Sequence, residues 1–281
     1  MKPDEARQIV KSRYDQSAQK SIGKTSCRCP SVSTPAAGFA AMHGLYSKDE
    51  LSSVPETSFT LSKGCGNPTG FAHLRTGETV VDFGCGAGID VILAARRVSL
   101  GGKVVGVDMT PHMIERAKQA VAEAGLTAVV DFQLCELERL ELPDDFTDVV
   151  ISNCVINLCP DKAAVYREAF RILKPGGRLA ISDIVYTESP DPALKARFES
   201  TWAGCVGGAI EEDGYFQIVM DAGFGEIRVV ATHPLAPKEL EEMATCPGPE
   251  FTPAPAAEDL SAVQGKVASI KFTAVKPFHR Q

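Results

Sequence analysis

The chain lacks a long apolar run, an excess of basic residues and any basic patch interleaved with aromatics. No stretch approaches the roughly 18 consecutive apolar residues of a membrane span. The opening "MKPDEARQIVKSRYDQ" alternates charged and apolar positions, where a signal peptide needs a continuous apolar core. With 29 basic against 36 acidic side chains, the formal net charge of −7 recommends neither nucleic acid nor an anionic membrane as partner. The expected protein is therefore soluble and cytoplasmic, and its partner is a small molecule. Histidine is sparse: His43, His73, His112, His233 and His279 are scattered and read as surface or capping residues. The lone tryptophan, Trp202, is expected in the core or walling a pocket. No internal repeat is present.

Cysteine, by contrast, occurs nine times, at 27, 29, 65, 85, 135, 154, 159, 205 and 246. An odd count without an export signal argues against a disulfide framework and for reduced thiols. Zinc would require four ligands, and the short spacing usual between paired zinc ligands occurs only in the "SCRC" segment, so a structural zinc site is not favoured.

Residues 4–20 read as a helix, followed by a loop rich in Ser, Thr, Gly and Pro that carries Cys27 and Cys29. In "KGCGNPTG", Asn67 and Pro68 have the chemistry of a helix cap and first helical residue, so Cys65 precedes a helix. The β-branched runs at 79–83, 103–108, 129–133, 147–152 and 177–183 alternate with segments of helical spacing. This pattern predicts a doubly wound α/β sheet, Rossmann-like and mostly parallel. Thr110 and Asp161 are expected to cap helices, the second ending at "KPGG". Beyond 190, two helices flank a Gly-rich break, "EIRVVA" and "ASIKFTAV" read as further strands, and a Pro-rich excursion lies between them. Three regions are expected: 1–65 with a helix and thiol-bearing loop, 66–190 binding a cofactor, and 191–281 as a smaller α+β region capping the substrate.

"VVDFGCGAGID" ends a strand and opens a helix with Asp82, Gly84, Gly86 and Gly88. The dinucleotide pattern G-x-G-x-x-G fails because position 89 is Ile89. Glycines still let the backbone approach a ligand closely, and Asp108, ending the next strand, can accept both hydroxyls of a ribose. The loop, its acids and the element order resemble the class I methyltransferases that use S-adenosylmethionine, whose sheet ends in an antiparallel strand. The resemblance covers residues 66–190.

Four further motifs narrow it: "SCRCP", "KGCGNP" around Cys65, "SNCVINL" around Cys154 and "WAGCVGGA" around Cys205. With "DMT" at 108–110 they resemble the arsenite methyltransferases. The resemblance implies that Cys65, Cys154 and Cys205 hold trivalent arsenic, a soft centre that prefers thiolates. It also implies a substrate arriving as arsenite or its glutathione conjugate, and an N-terminal cysteine, Cys27 or Cys29, pairing with Cys65 during turnover and reset by thioredoxin or glutathione. On the cofactor side it carries Met109, Leu137 and Glu138 to the adenine and Asn153 to the methionine end. One departure is Lys63, where animal and algal members have tyrosine. Cys85 is expected as a small filler and Cys135 as packing, Cys159 receives no role, and Cys246 is expected to be exposed or near bound metalloid. The competing readings are a carbon or oxygen methyltransferase with incidental cysteines and a protein that only sequesters arsenic.

Overall fold

Residues 2–22, 44–201, 204–246 and 254–278 are described by the computed structural model. Cys27, Cys29 and Trp202 lie outside them. The strands are β1 Thr79–Phe83, β2 Lys103–Asp108, β3 Val130–Leu134, β4 Thr147–Asn153, β5 Leu173–Tyr186, β6 Gly225–Pro234 and β7 Val267–Val275. They form one seven-stranded sheet in the order β3-β2-β1-β4-β5-β7-β6. The first five pair in parallel, and β7 runs antiparallel to both β5 and β6. The mostly parallel sheet with an antiparallel final strand is thus as the sequence predicts. Residues 191–281 contribute β6 and β7 to this same sheet.

The helices are α1 Pro3–Ile22, α2 Lys48–Ser52, α3 Glu56–Thr60, α4 Pro68–Phe71, α5 Ile89–Val98, α6 Pro111–Glu123, α7 Lys162–Ile172, α8 Pro192–Thr201, α9 Gly204–Gly207, α10 Glu212–Asp221, α11 Pro237–Ala244 and α12 Ala257–Val263. Asn67 caps α4 by accepting from the Gly70 N–H at 3.0 Å, and Asp161 caps α7 by accepting from the Ala164 N–H at 2.8 Å. Thr110 precedes α6 without a side-chain capping bond. Helix α7 ends at Ile172, ahead of "KPGG", because β5 already begins at Leu173 and pairs with Thr147 there.

A β-strand points successive side chains to opposite faces. Val80 accordingly joins a core with Ile92, Val98 and Val104, whereas Val81 joins another with Tyr166, Tyr215 and Phe272. Burial on both faces accounts for the nearly continuous apolar character of the parallel strands. A third cluster, containing Cys65, Cys154, Cys205, Tyr186, Leu240 and Met243, brings together α9, α11 and the ends of β4 and β5.

Candidate active site

The sheet order reverses between β1 and β4, and an open fold of this kind leaves a crevice at the carboxyl ends of those strands. A cleft of about 970 Å3 lies there. Its floor is the glycine loop with Asp82, Asp108 and Met109; Leu137, Glu138, Asn153 and Cys154 wall it; Arg7, Val10 and Tyr14 of α1 cover it. Every cofactor-side residue expected from the sequence borders this cleft except Gly88, which lies at the start of α5. Gly84 has φ +71°, and a Cβ there would strike the Val155 side chain. Nothing occupies the space beside Gly86, so the backbone is bare toward a ligand.

Asp108 borders the cleft and also braces the glycine loop, each oxygen keeping acceptor capacity beyond the one bond it makes. Its two oxygens accept from the Gly86 N–H at 3.0 Å and the Thr110 N–H at 2.8 Å, bracing the loop against the end of β2. Burial pushes this carboxyl up, and the N–H donors pull it back. Asp82 is buried too, and its Oδ2 has no partner among the described residues. Burial first, then the charges of Asp90 and Asp108, push its carboxyl well above the usual range.

Asp90, on the first turn of α5, is a site residue that the sequence reading missed. The Tyr46 hydroxyl donates to its two oxygens at 2.9 and 3.0 Å, and Asn153 Nδ2 donates at 3.1 Å. Burial nevertheless raises it to about 6, with these donors opposing the rise. Asn153 ties the region together: its amide also reaches the Tyr46 hydroxyl at 3.0 Å and the Gly66 carbonyl at 2.8 Å, and its Oδ1 accepts from the Gly66 N–H at 3.1 Å. Two buried carboxylates, one with an orphaned oxygen, suit a cationic ligand, because a buried charge without a partner is costly.

Helix α1 is latched over the cleft. Arg7 donates to Glu138 at 3.3 Å and lies 3.2 Å from Glu136, and Ala18 packs with Ala87 and Met113. His112 at the start of α6 lies 2.8 Å from Asp15 of the same helix.

Beside the cofactor cleft the thiols converge. Cys65, Cys154 and Cys205 share the third buried cluster. The Cys205 thiol donates to the Cys154 carbonyl at 3.1 Å, and Cys65 Sγ lies 3.6 Å from the Ser182 hydroxyl. The glycines flanking Cys65 are required by close approach: a Cβ at Gly64 would overlap the Asn153 amide, and one at Gly66 the Ser182 hydroxyl. Cys154 itself sits at φ +62°, a left-handed conformation that costs a non-glycine residue about 1–2 kcal/mol and is held here by its N–H bond to the Ser182 carbonyl at 2.8 Å. Burial pushes the Cys154 thiol well up, reinforced by its two thiol neighbours. For Cys205 the hydrogen bond with Cys154 is the largest influence and lowers its pKa, but burial together with the charges of Asp183 and Cys65 outweighs it and leaves a net rise. Among the described residues, no group of three or more His, Cys, Asp or Glu side chains is arranged to hold a metal ion.

The remaining cysteines divide. Cys85 is buried with its sulfur 3.0 Å from where a Cβ on Gly106 would stand, which fits a filler. Cys135 and Cys159 border the cofactor cleft. Cys246 is not exposed: it is 97% buried, 3.2 Å from the Tyr14 hydroxyl. Lys63 borders the cleft, and Tyr14 of α1 supplies an aromatic ring over it.

A doubly wound sheet closed by an antiparallel strand, a bare glycine loop and buried acids at the switch point together define a class I methyltransferase, whose cofactor is S-adenosylmethionine. Residues 74–225 match the family described as "Methyltransferase domain", and the chain belongs to that family. It is 40% identical over 236 residues to the arsenite methyltransferase of Halobacterium salinarum, a match covering 81% of this chain and 59% of that protein. Against the arsenite methyltransferase of Aquipseudomonas alcaligenes it is 36% identical over 235 residues, covering 81% and 64%. The chain thus spans less than two thirds of either relative's length. A crystal structure of an arsenic(III) S-adenosylmethionine methyltransferase from Chlamydomonas reinhardtii matches with a TM-score of 0.62 at 28% identity, covering 86% of this chain and 74% of that one. No helix among the described residues is long and apolar enough to cross a membrane.

Proposed function

We propose that the chain transfers methyl groups from S-adenosylmethionine to trivalent arsenic held by Cys65, Cys154 and Cys205. The observation that carries this reading is the gathering of three thiols from distant parts of the chain at the wall of the cofactor cleft, with Cys154 lining the cleft itself. An organic methyl acceptor gives no reason for that gathering, nor for the strained backbone at Cys154. The bound cofactor supplies an electrophilic methyl group on a sulfonium. The orphaned Asp82 oxygen and the Asp90 carboxyl receive positive charge in the cleft, while α1 excludes water above it.

The raised pKa values of Cys154 and Cys205 suit this substrate. Arsenous acid exchanges its hydroxides for thiols, and each thiol proton leaves with a hydroxide as water, so no preformed thiolate is needed. The thiols close about the arsenic as they displace its ligands. Three sulfurs leave the arsenic lone pair free, and arsenic carries no proton, so no general base is required. Catalysis is then largely positioning of acceptor against donor.

The same reading has arsenite or its glutathione conjugate as the incoming form. Cys27 or Cys29 would pair with Cys65 to return arsenic to the trivalent state, with thioredoxin or glutathione restoring the thiols. Its cellular role is detoxification in the cytoplasm. The test is methyl transfer from methyl-labelled S-adenosylmethionine, with a thiol reductant, to arsenite and to a panel of phenols, quinols and sterols. Label in arsenicals supports the proposal. Label in an organic acceptor with none in arsenic would replace it with the carbon or oxygen methyltransferase reading.

A further inference from the structure

Asn153 ends β4 and Cys154 follows it, so whatever the Asn153 side chain grips is held at a fixed place relative to that thiol. It grips the segment of Cys65. Oδ1 accepts from the Gly66 N–H at 3.1 Å and Nδ2 donates to the Gly66 carbonyl at 2.8 Å, so one amide engages both peptide groups of the residue after Cys65. Because that N–H only donates and that carbonyl only accepts, the orientation of the amide is settled. On the other side of Cys65, Gly64 packs so close to the same amide that a Cβ would overlap it. Gly64, Asp90, Asn153 and Cys154 border the cofactor cleft, whereas Cys65 does not. Asn153 is thus a direct link between the cleft and Cys65.

The amide is also short of hydrogens. Its nitrogen carries two, yet three acceptors surround it: the Gly66 carbonyl at 2.8 Å, the Tyr46 hydroxyl at 3.0 Å and Asp90 Oδ2 at 3.1 Å. The Tyr46 hydroxyl directs its own hydrogen to Asp90 as well. Asp90 therefore competes for the hydrogens that secure the loop of Cys65. A cation placed against Asp90 satisfies the carboxylate and leaves the amide hydrogens to Gly66 and Tyr46.

We propose, resting on the arsenic reading, that Asn153 is a positioning residue that couples the two sites: a cationic cofactor beside Asp90 tightens the grip of Asn153 on the Cys65 loop and so strengthens arsenic binding. The coupling is reciprocal, and bound arsenic strengthens the hold on the cofactor by the same factor. Only hydrogen bonds change partners. The arsenical is then held most firmly when a methyl donor is in place.

The experiment is equilibrium dialysis of arsenite against the full chain, reduced with a phosphine and freed of small thiols, with and without saturating sinefungin. This cofactor analogue carries an ammonium in place of the sulfonium and has no methyl group to transfer. Calorimetry with sinefungin verifies that each variant is folded and saturated. In the native chain sinefungin should raise arsenite affinity by about fivefold or more. In Asn153→Ala arsenite should bind more weakly and the rise should vanish. Tyr46→Phe leaves the amide nitrogen two acceptors for its two hydrogens, so arsenite binding without sinefungin should persist while the rise is lost; this variant decides alone if Asn153→Ala does not fold. An undiminished rise in either variant, or none in the native chain, would overturn the coupling. No arsenite bound by the native chain would instead sink the arsenic reading, and the coupling is then read from Cys65 itself. Its alkylation by iodoacetamide, followed by peptide mass spectrometry, should slow with sinefungin in the native chain and not in Asn153→Ala; equal slowing in both would overturn it.

Discussion

Asp90→Asn should make the empty protein more stable and its cofactor site worse. A carboxyl carried from its ordinary value near 3.8 to about 6 by burial binds its proton more tightly folded than unfolded. Its contribution to stability is therefore fully present below about pH 4 and is lost as the pH rises to about 6. The difference amounts to about 3 kcal/mol against the folded state at pH 7.5. Asparagine abolishes that loss and keeps an oxygen for the Tyr46 hydroxyl, but forfeits about 1 kcal/mol because the bond to a charged acceptor becomes a neutral one. Removing the Asp90 charge also relieves Asp82, which it pushes up. The expected net gain at pH 7.5 is about 1–2 kcal/mol, or a few degrees in melting temperature for a chain of this size. At pH 3, where the carboxyl is protonated in both the folded and the unfolded chain, the gain should nearly vanish. Binding of the cationic S-adenosylmethionine should weaken by about tenfold, a change of about 1.4 kcal/mol, while neutral S-adenosylhomocysteine is less affected. Thermal unfolding at the two pH values and titration calorimetry with both cofactors check this. A variant less stable than the native protein at pH 7.5, or equally altered at both pH values, would refute the reasoning.

Three other perturbations follow from the same geometry. Gly84→Ala combines a Cβ at φ +71° with overlap on Val155, and urea unfolding should report a loss of at least about 2 kcal/mol, with cofactor binding lost alongside. Tyr215→Phe removes the hydroxyl that donates to buried Asp183 at 2.8 Å. Burial raises Asp183 to about 6, so the variant should lose about 2 kcal/mol at pH 8, where the acceptor is charged, and less at pH 5. Arg7→Ala unlatches α1 from Glu138, and because the pair is partly solvated its stability should change by less than about 1 kcal/mol. Calorimetry should nonetheless register a several-fold weaker hold on the cofactor.

The fold was legible because its signals are local. Val80 and Val81 belong to a β-branched run, the glycine loop has its spacing, and Asn67 and Asp161 sit one residue before the helices they cap. Cys65, Cys154 and Cys205 could be named because each carries a motif of its own. What escaped are partnerships across long stretches of chain. Tyr46 meets Asp90 across 44 residues and Tyr14 meets Cys246 across 232, so no periodicity announces either pair. The acid of "GID", directly behind a glycine loop, is the local signal for Asp90, but its burial follows only from Tyr46 and Asn153 folding over it. Cys246 was read as exposed or near bound metalloid because Pro247 and Pro249 suggest a surface excursion, whereas directly after α11 it is buried against the Tyr14 hydroxyl. Asp108 was read as an acceptor for a ribose, and the structure adds the two backbone N–H groups by which it also braces the glycine loop.

The most direct test is arsenic speciation after incubating the purified chain with arsenite, S-adenosylmethionine and a thiol reductant, for the native protein and Cys154→Ser. The account predicts methylated arsenicals from the native protein and none from the variant, with cofactor binding retained in both. Equal methylation by the variant would contradict the role of Cys154, and no methylated arsenical from the cofactor-saturated native protein would contradict the central claim.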